Sequence, residues 1–99
     1  MTISIQYVKM PDSESMSAYT TSKLEKLAKK YEWLINAVVY FKVDKDPAGI
    51  DKVCEIELSA PGPRIYASSK EKNYEMAVKN TISDLEKQLK KRKAIFNHH

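Results

Sequence analysis

Residues 35–60 read Ile35-Asn36-Ala37-Val38-Val39-Tyr40-Phe41-Lys42-Val43-Asp44-Lys45-Asp46-Pro47-Ala48-Gly49-Ile50-Asp51-Lys52-Val53-Cys54-Glu55-Ile56-Glu57-Leu58-Ser59-Ala60. Two alternating runs, 35–43 and 52–60, flank a turn over 44–49. In the first, Ile35, Ala37, Val39, Phe41 and Val43 share a face. In the second, Cys54, Ile56 and Leu58 oppose Val53, Glu55 and Glu57. A period of two marks half-buried strands, and Pro47 with Gly49 marks the turn that joins them as a hairpin. The opposite face, carrying Tyr40, Lys42, Glu55 and Glu57, is expected to be wet, which an antiparallel sheet allows.

Outward from this hairpin the pattern continues. Pro61-Gly62-Pro63 is long enough only for a second hairpin turn, and residues 64–68 follow as a short strand with Ile65 and Ala67 inward. Residues 2–8 alternate as well, through Ile3, Ile5 and Tyr7. Between that run and residue 35 the period becomes helical. Ser13 is placed as N-cap, Glu14 suits the helix dipole, and Met16, Thr20, Leu24, Leu27, Tyr31 and Leu34 recur at steps of three and four. A second helical stretch, about 72–93, carries Tyr74, Val78, Ile82, Leu85 and Leu89. The order is βαβββα, with the first helix a crossover between parallel strands. The predicted fold class is α+β: a four-stranded mixed sheet with both helices on one face, in two layers.

Ninety-nine residues and 11.4 kDa, 42% of them hydrophobic, suffice for one core. The expected organisation is a single domain over 1–95 and a frayed C-terminal end over 96–99. One cysteine, Cys54, excludes an intramolecular disulfide and a Cys-cluster zinc site. No apolar run is long enough to cross a bilayer, and the start has no signal-peptide pattern. The expected location is cytoplasmic.

Catalytic constellations are missing from the pattern. His98 and His99 sit at the extreme C-terminus, whether tag remnant or native end, so no imidazole base can be paired with a nucleophile on an ordered scaffold. Cys54, inside a strand, reads as a small buried hydrophobe. With only Gly49 and Gly62, no dinucleotide or Walker loop can be written. Asp44, Asp46 and Asp51 lack the glycine and terminal glutamate of a calcium loop and read as solvated turn acids. Tyr19, Tyr31 and Tyr74 fit core positions at helical spacing better than base-stacking ones. These readings predict no enzyme, no metal, no cofactor and no small-molecule substrate.

Charge is the informative feature. The chain carries a net +4, yet residues 35–69 hold four bases against five acids, and residues 70–93 eight bases against four acids. Lys87, Lys90, Lys91, Arg92 and Lys93 fall within seven positions that contain no acid. Lys87, Lys90 and Lys91 lie opposite the Leu85/Leu89 stripe, with Lys79 and Lys93 to one side. Cations also offset the dipole in a last helical turn. A cluster without interleaved acids, together with Lys23, Lys26 and Lys30 along one flank of the first helix, instead predicts a positive groove between the helices. Its natural complement is a row of phosphates.

The sequence also resembles a known family. Thr21-Ser22-Lys23-Leu24-Glu25-Lys26-Leu27, Ile35-Asn36 leading into Phe41-Lys42-Val43-Asp44-Lys45, Ile65-Tyr66-Ala67-Ser68, and Asp84-Leu85-Glu86-Lys87-Gln88-Leu89-Lys90-Lys91-Arg92-Lys93 occur in the order and spacing of the short ribosome hibernation-promoting factors. These are grouped with the ribosome-associated inhibitors and also called sigma-54 modulation proteins. The resemblance implies a fold like that of double-stranded-RNA-binding domains. It also implies binding in the tRNA/mRNA cleft of the small (30S) ribosomal subunit, against 16S rRNA, and translation inhibition in stationary phase or stress. By position it assigns rRNA contacts to Lys23, Lys26, Lys30, Lys87, Lys90, Lys91 and Lys93, to which charge alone adds Lys79 and Arg92. The chain departs from the family where Asp-Met-Tyr commonly starts the second helix and Asn73-Tyr74-Glu75 stands here. It ends soon after that helix, as the short forms do, and is expected to be monomeric when free. Two other readings remain at this level: a general structured-RNA-binding module, and a sigma-factor or other protein-interaction regulator using the Glu55/Glu57 face.

Overall fold

A computed structural model describes residues 1–96. The elements are β1 (Thr2–Tyr7), α1 (Glu14–Lys30), β2 (Asn36–Asp46), β3 (Gly49–Ser59), β4 (Ile65–Glu71) and α2 (Tyr74–Phe96). The sheet order is β1-β2-β3-β4, with β1 parallel to β2 and the remaining pairs antiparallel. This is the expected α+β architecture, a four-stranded mixed sheet with two helices.

The alternation read from the sequence places the core. Val39, Phe41, Cys54, Ile56 and Leu58 are fully buried on the helix-facing side, joined by Ile65 and Ala67 of β4. Leu24 and Leu27 of α1, with Val78, Leu85 and Leu89 of α2, close over them. Aromatic rings finish one end. Tyr7 stacks on Phe41 with centroids 5.0 Å apart, and Tyr74 meets Phe41 edge-on at 5.3 Å.

Several boundaries differ from expectation. The first helix stops at Lys30 rather than Leu34. Tyr31 leaves helical dihedrals, its amide still bonded to the Leu27 carbonyl, and a turn closed by Leu34 N–H donating to the Tyr31 carbonyl tucks Leu34 into the core. Helical spacing persisted in the sequence because this turn buries Leu34 on the same side. The second helix starts at Tyr74, where Asn73 caps it: its side-chain oxygen accepts from the Met76 amide at 2.9 Å. Asparagine thus serves as the N-cap. The helix continues to Phe96, whose ring meets Trp33 edge-on at 5.0 Å, so this first residue of the expected frayed end is packed. The remainder of that end, with His98 and His99, lies outside the described residues.

The hairpin arms are longer than the pattern suggested. The β2–β3 ladder runs without interruption to Asp46↔Gly49, leaving Pro47-Ala48 as the turn. Asp44 and Asp51, read as loop acids, face each other across this ladder. Ile35 and Val43, expected inward, are exposed (58% and 39%). Ile35 precedes β2, and Val43 lies past the end of β1, so neither has the layers above and beside it that burial requires.

Candidate nucleic-acid interface

The topology determines how the two basic rows meet. The Tyr7 hydroxyl donates to the Ser13 carbonyl, which pins the start of α1 to the end of β1. Gln88 donates to the Tyr66 carbonyl at the start of β4, while Asn80 bonds Glu71 at its end. Each helix therefore runs against its neighbouring strand. Because β1, β2 and β4 point the same way, α1 and α2 run side by side in one direction.

The flank of α1 that meets α2 is the lysine flank. Lys30 Nζ lies 2.6 Å from a Glu86 carboxylate oxygen of α2. Lys26 and Lys23 stand one and two turns earlier on the same side. Lys23 lies over the Tyr19 ring, 5.5 Å from its centroid, which holds its stem against the helix. On α2, Lys79, Lys90 and Lys93 flank Glu86 at helical spacing, and Lys93 lies over the Tyr31 ring at 5.8 Å. Lys87 and Lys91 stand further out, exposed on the outer face of α2. Lys23, Lys26 and Lys30 thus stand on one side of the seam between the helices and Lys79, Lys90 and Lys93 on the other, with Lys87 and Lys91 outside it.

Arg92 is placed differently from the lysines. It turns to the other edge of α2, where its guanidinium donates to the Pro61 carbonyl at 2.9 Å. The same group lies over Gly62, at φ +97°, where a Cβ would come within 3.2 Å of the guanidinium nitrogen. The positive dihedral is what favours glycine here.

Glu86 was not singled out from the sequence. It is the acid inside the basic groove, and its spacing of four and seven residues from Lys90 and Lys93 was the available signal. The hydrogen bond that Lys30 donates to Glu86 holds the Glu86 carboxyl below the usual glutamate range and the Lys30 ammonium above the usual lysine value. Among the described residues, Lys30 is the only one of the nine candidate cations in an ion pair.

The opposite face of the sheet neutralises itself. Lys42 pairs with Glu55 at 2.9 Å, Arg64 with Glu57, and Lys70 with Asp44, while Lys72 stands 3.7 Å from Asp51. Cys54 is fully buried, and burial pushes its thiol up to about 12, which removes it from nucleophilic chemistry at neutral pH. Among the described residues no cluster of histidine, cysteine or carboxylate side chains suits a metal ion, and no helix is long and apolar enough to cross a membrane.

The family described as sigma 54 modulation protein / S30EA ribosomal protein matches residues 3–95. Among solved structures, a ribosomal subunit interface protein from Coxiella burnetii superposes with a TM-score of 0.85 at 23% identity, covering 95% of this chain and 99% of that one. The N-terminal domain of Protein Y from Thermus thermophilus superposes with a TM-score of 0.75 at 18% identity, covering 92% and 98%. Among curated protein sequences none matches this one.

Proposed function

This chain belongs to the sigma 54 modulation protein / S30EA ribosomal protein family, and from that premise we propose that it is a ribosome hibernation factor. It binds the small (30S) subunit in the tRNA/mRNA cleft and halts translation by occupying that space in stationary phase or stress. Residues 1–95 act as one ribosome-binding domain, in the cytoplasm and without a cofactor. The helix layer seats against 16S rRNA. Lys23, Lys26 and Lys30 supply one bank of contacts, Lys79, Lys90 and Lys93 the other, Lys87 and Lys91 the outer face of α2, and Arg92 the far edge. No bond is made or broken in this mechanism, which works by exclusion.

The observation that carries the reading is the segregation of charge between the two faces. Nine lysines and Arg92 stand on the two helices against five acids. Of the nine candidate cations only Lys30 is in an ion pair among the described residues, whereas Lys42, Arg64 and Lys70 of the sheet face are each matched to an acid. A polyanion gains most where cations are not already neutralised, since release of its counterions drives the association. Two parallel helices with a groove between them also offer a shape that a folded RNA cavity can match, which a flat basic patch does not.

The test is the triple charge reversal Lys87→Glu, Lys90→Glu and Lys91→Glu. The variant should fold with an unchanged circular dichroism spectrum and lose co-sedimentation with 30S particles. Retained co-sedimentation would overturn the assignment. A competition with bulk double-stranded RNA at physiological salt separates a ribosome factor, which keeps its 30S preference, from a general RNA-binding module, which does not.

A further inference from the structure

β1 ends early, and the strand beside it does not. Their parallel register closes at Tyr7↔Phe41, and the Val8 amide makes the last bond, to the Phe41 carbonyl at 2.9 Å. Lys9 then adopts φ 57°, the one non-glycine residue with positive φ among the described residues, and carries the chain off the sheet. β2 runs on to Asp46, paired with β3 on its other side. Because backbone groups alternate along a strand, Val43 and Lys45 direct their N–H and C=O groups the same way as Phe41, toward the space that β1 has vacated.

That space is a cleft of about 320 Å³ lined by Val8, Lys9, Lys42, Val43 and Lys45. Its apolar surface comes from the two valines and its charge from three lysines, and no acid lines it among the described residues. Lys42 is paired with Glu55, whereas Lys9 and Lys45 have no ion pair among the described residues. The far side is held firm, since the Tyr74 hydroxyl donates to the Lys42 carbonyl at 2.9 Å.

We propose that this notch is a strand-docking site for a short, acidic, extended peptide segment of a partner protein. The added segment continues β1's place in the sheet and pairs with Val43 and Lys45. Main-chain pairing supplies the affinity, and alternate side chains supply the selectivity. A row that presents donors and acceptors in turn suits a peptide backbone, which returns both at the same spacing, whereas phosphate groups only accept. Lys9 and Lys45 select for carboxylates on that peptide and against a basic one. The site lies on the sheet edge, away from the C-terminal cluster Lys87–Lys93, and so stands independently of the RNA-binding reading.

The experiment titrates isotopically labelled full-length protein with a blocked pentapeptide alternating glutamate and valine. The amide resonances of Val8, Lys9, Val43 and Lys45 are followed. A saturable shift confined to these amides is expected, absent with the lysine/valine counterpart. Val43→Pro removes the edge N–H and should abolish the shift; an edge position tolerates proline. Lys45→Glu leaves the backbone intact and should weaken binding by about tenfold, which keeps the test decisive if the proline variant fails to fold. No shift at these amides, equal shifts with the basic peptide, or shifts produced only by a short uridine oligonucleotide would each overturn the proposal.

Discussion

Lys30 and Glu86, fifty-six residues apart in the chain, meet at 2.6 Å across the groove between the helices. The contact ties the rows together and places one negative charge where the proposed ligand is a polyanion. In the proposed binding mode, RNA phosphate and Glu86 compete for Lys30.

Glu86→Gln frees Lys30 and removes that charge. Affinity for the small subunit should rise by about tenfold at low salt, and the log–log salt slope should steepen by about 0.9, the increment of one more lysine–phosphate contact. Fluorescence-anisotropy titrations over a potassium chloride series check both. The pH dependence follows from the pair. Glu86's lowered value makes its share of the clasp present above the ordinary glutamate range and lost as pH falls below it. The raised value of Lys30 makes its share present below the ordinary lysine value and lost as pH rises beyond it.

Lysines on the two faces should behave differently. Lys26 has no ion-pair partner among the described residues, whereas Lys42 is bound to Glu55. Lys26→Ala should weaken subunit binding several-fold and flatten the salt slope by about 0.9. Lys42→Ala should leave both unchanged. Parallel titrations of the two variants make the comparison, and equal losses would argue against the helix layer as the binding face.

Cys54 should be unreactive toward a thiol-specific chromogenic reagent at pH 8 in the native protein and react at once in guanidinium chloride. Its value near 12, against 9.0 for an unburied thiol, also predicts an alkaline limb in stability. The folded state keeps the proton that the unfolded state releases. This contribution is complete below pH 9 and declines as pH rises from there toward 12. Denaturant midpoints measured over that range test it.

Leu85 is fully buried beneath α2. Leu85→Ala should cost about 3 kcal/mol through lost transfer energy and the cavity left behind. It should lower the denaturant midpoint without changing the slope, and reduce subunit binding only in proportion to the fraction unfolded. That separation distinguishes a core lysine-bearing helix that has loosened from an interface that has lost contacts.

The alternation of 35–43 and 52–60 and the leucine spacing of both helices determined the order of elements and the buried face. These are local signals: a residue's period follows from its own backbone geometry. Charge counting likewise located both lysine rows without coordinates. Local pattern misplaced the ends. Leu34 kept helical spacing although a turn delivers it to the core, and Ile35 and Val43 kept strand parity where no second layer covers them. Only the assembled structure decided that the two rows face each other, that Glu86 stands between them and that Arg92 turns away to the Pro61 carbonyl. Only it, too, decided that β1 leaves β2's edge open after Val8. Each of these depends on how far one element extends past another. Such lengths arise from contacts between residues dozens of positions apart, and no window along the chain contains both partners.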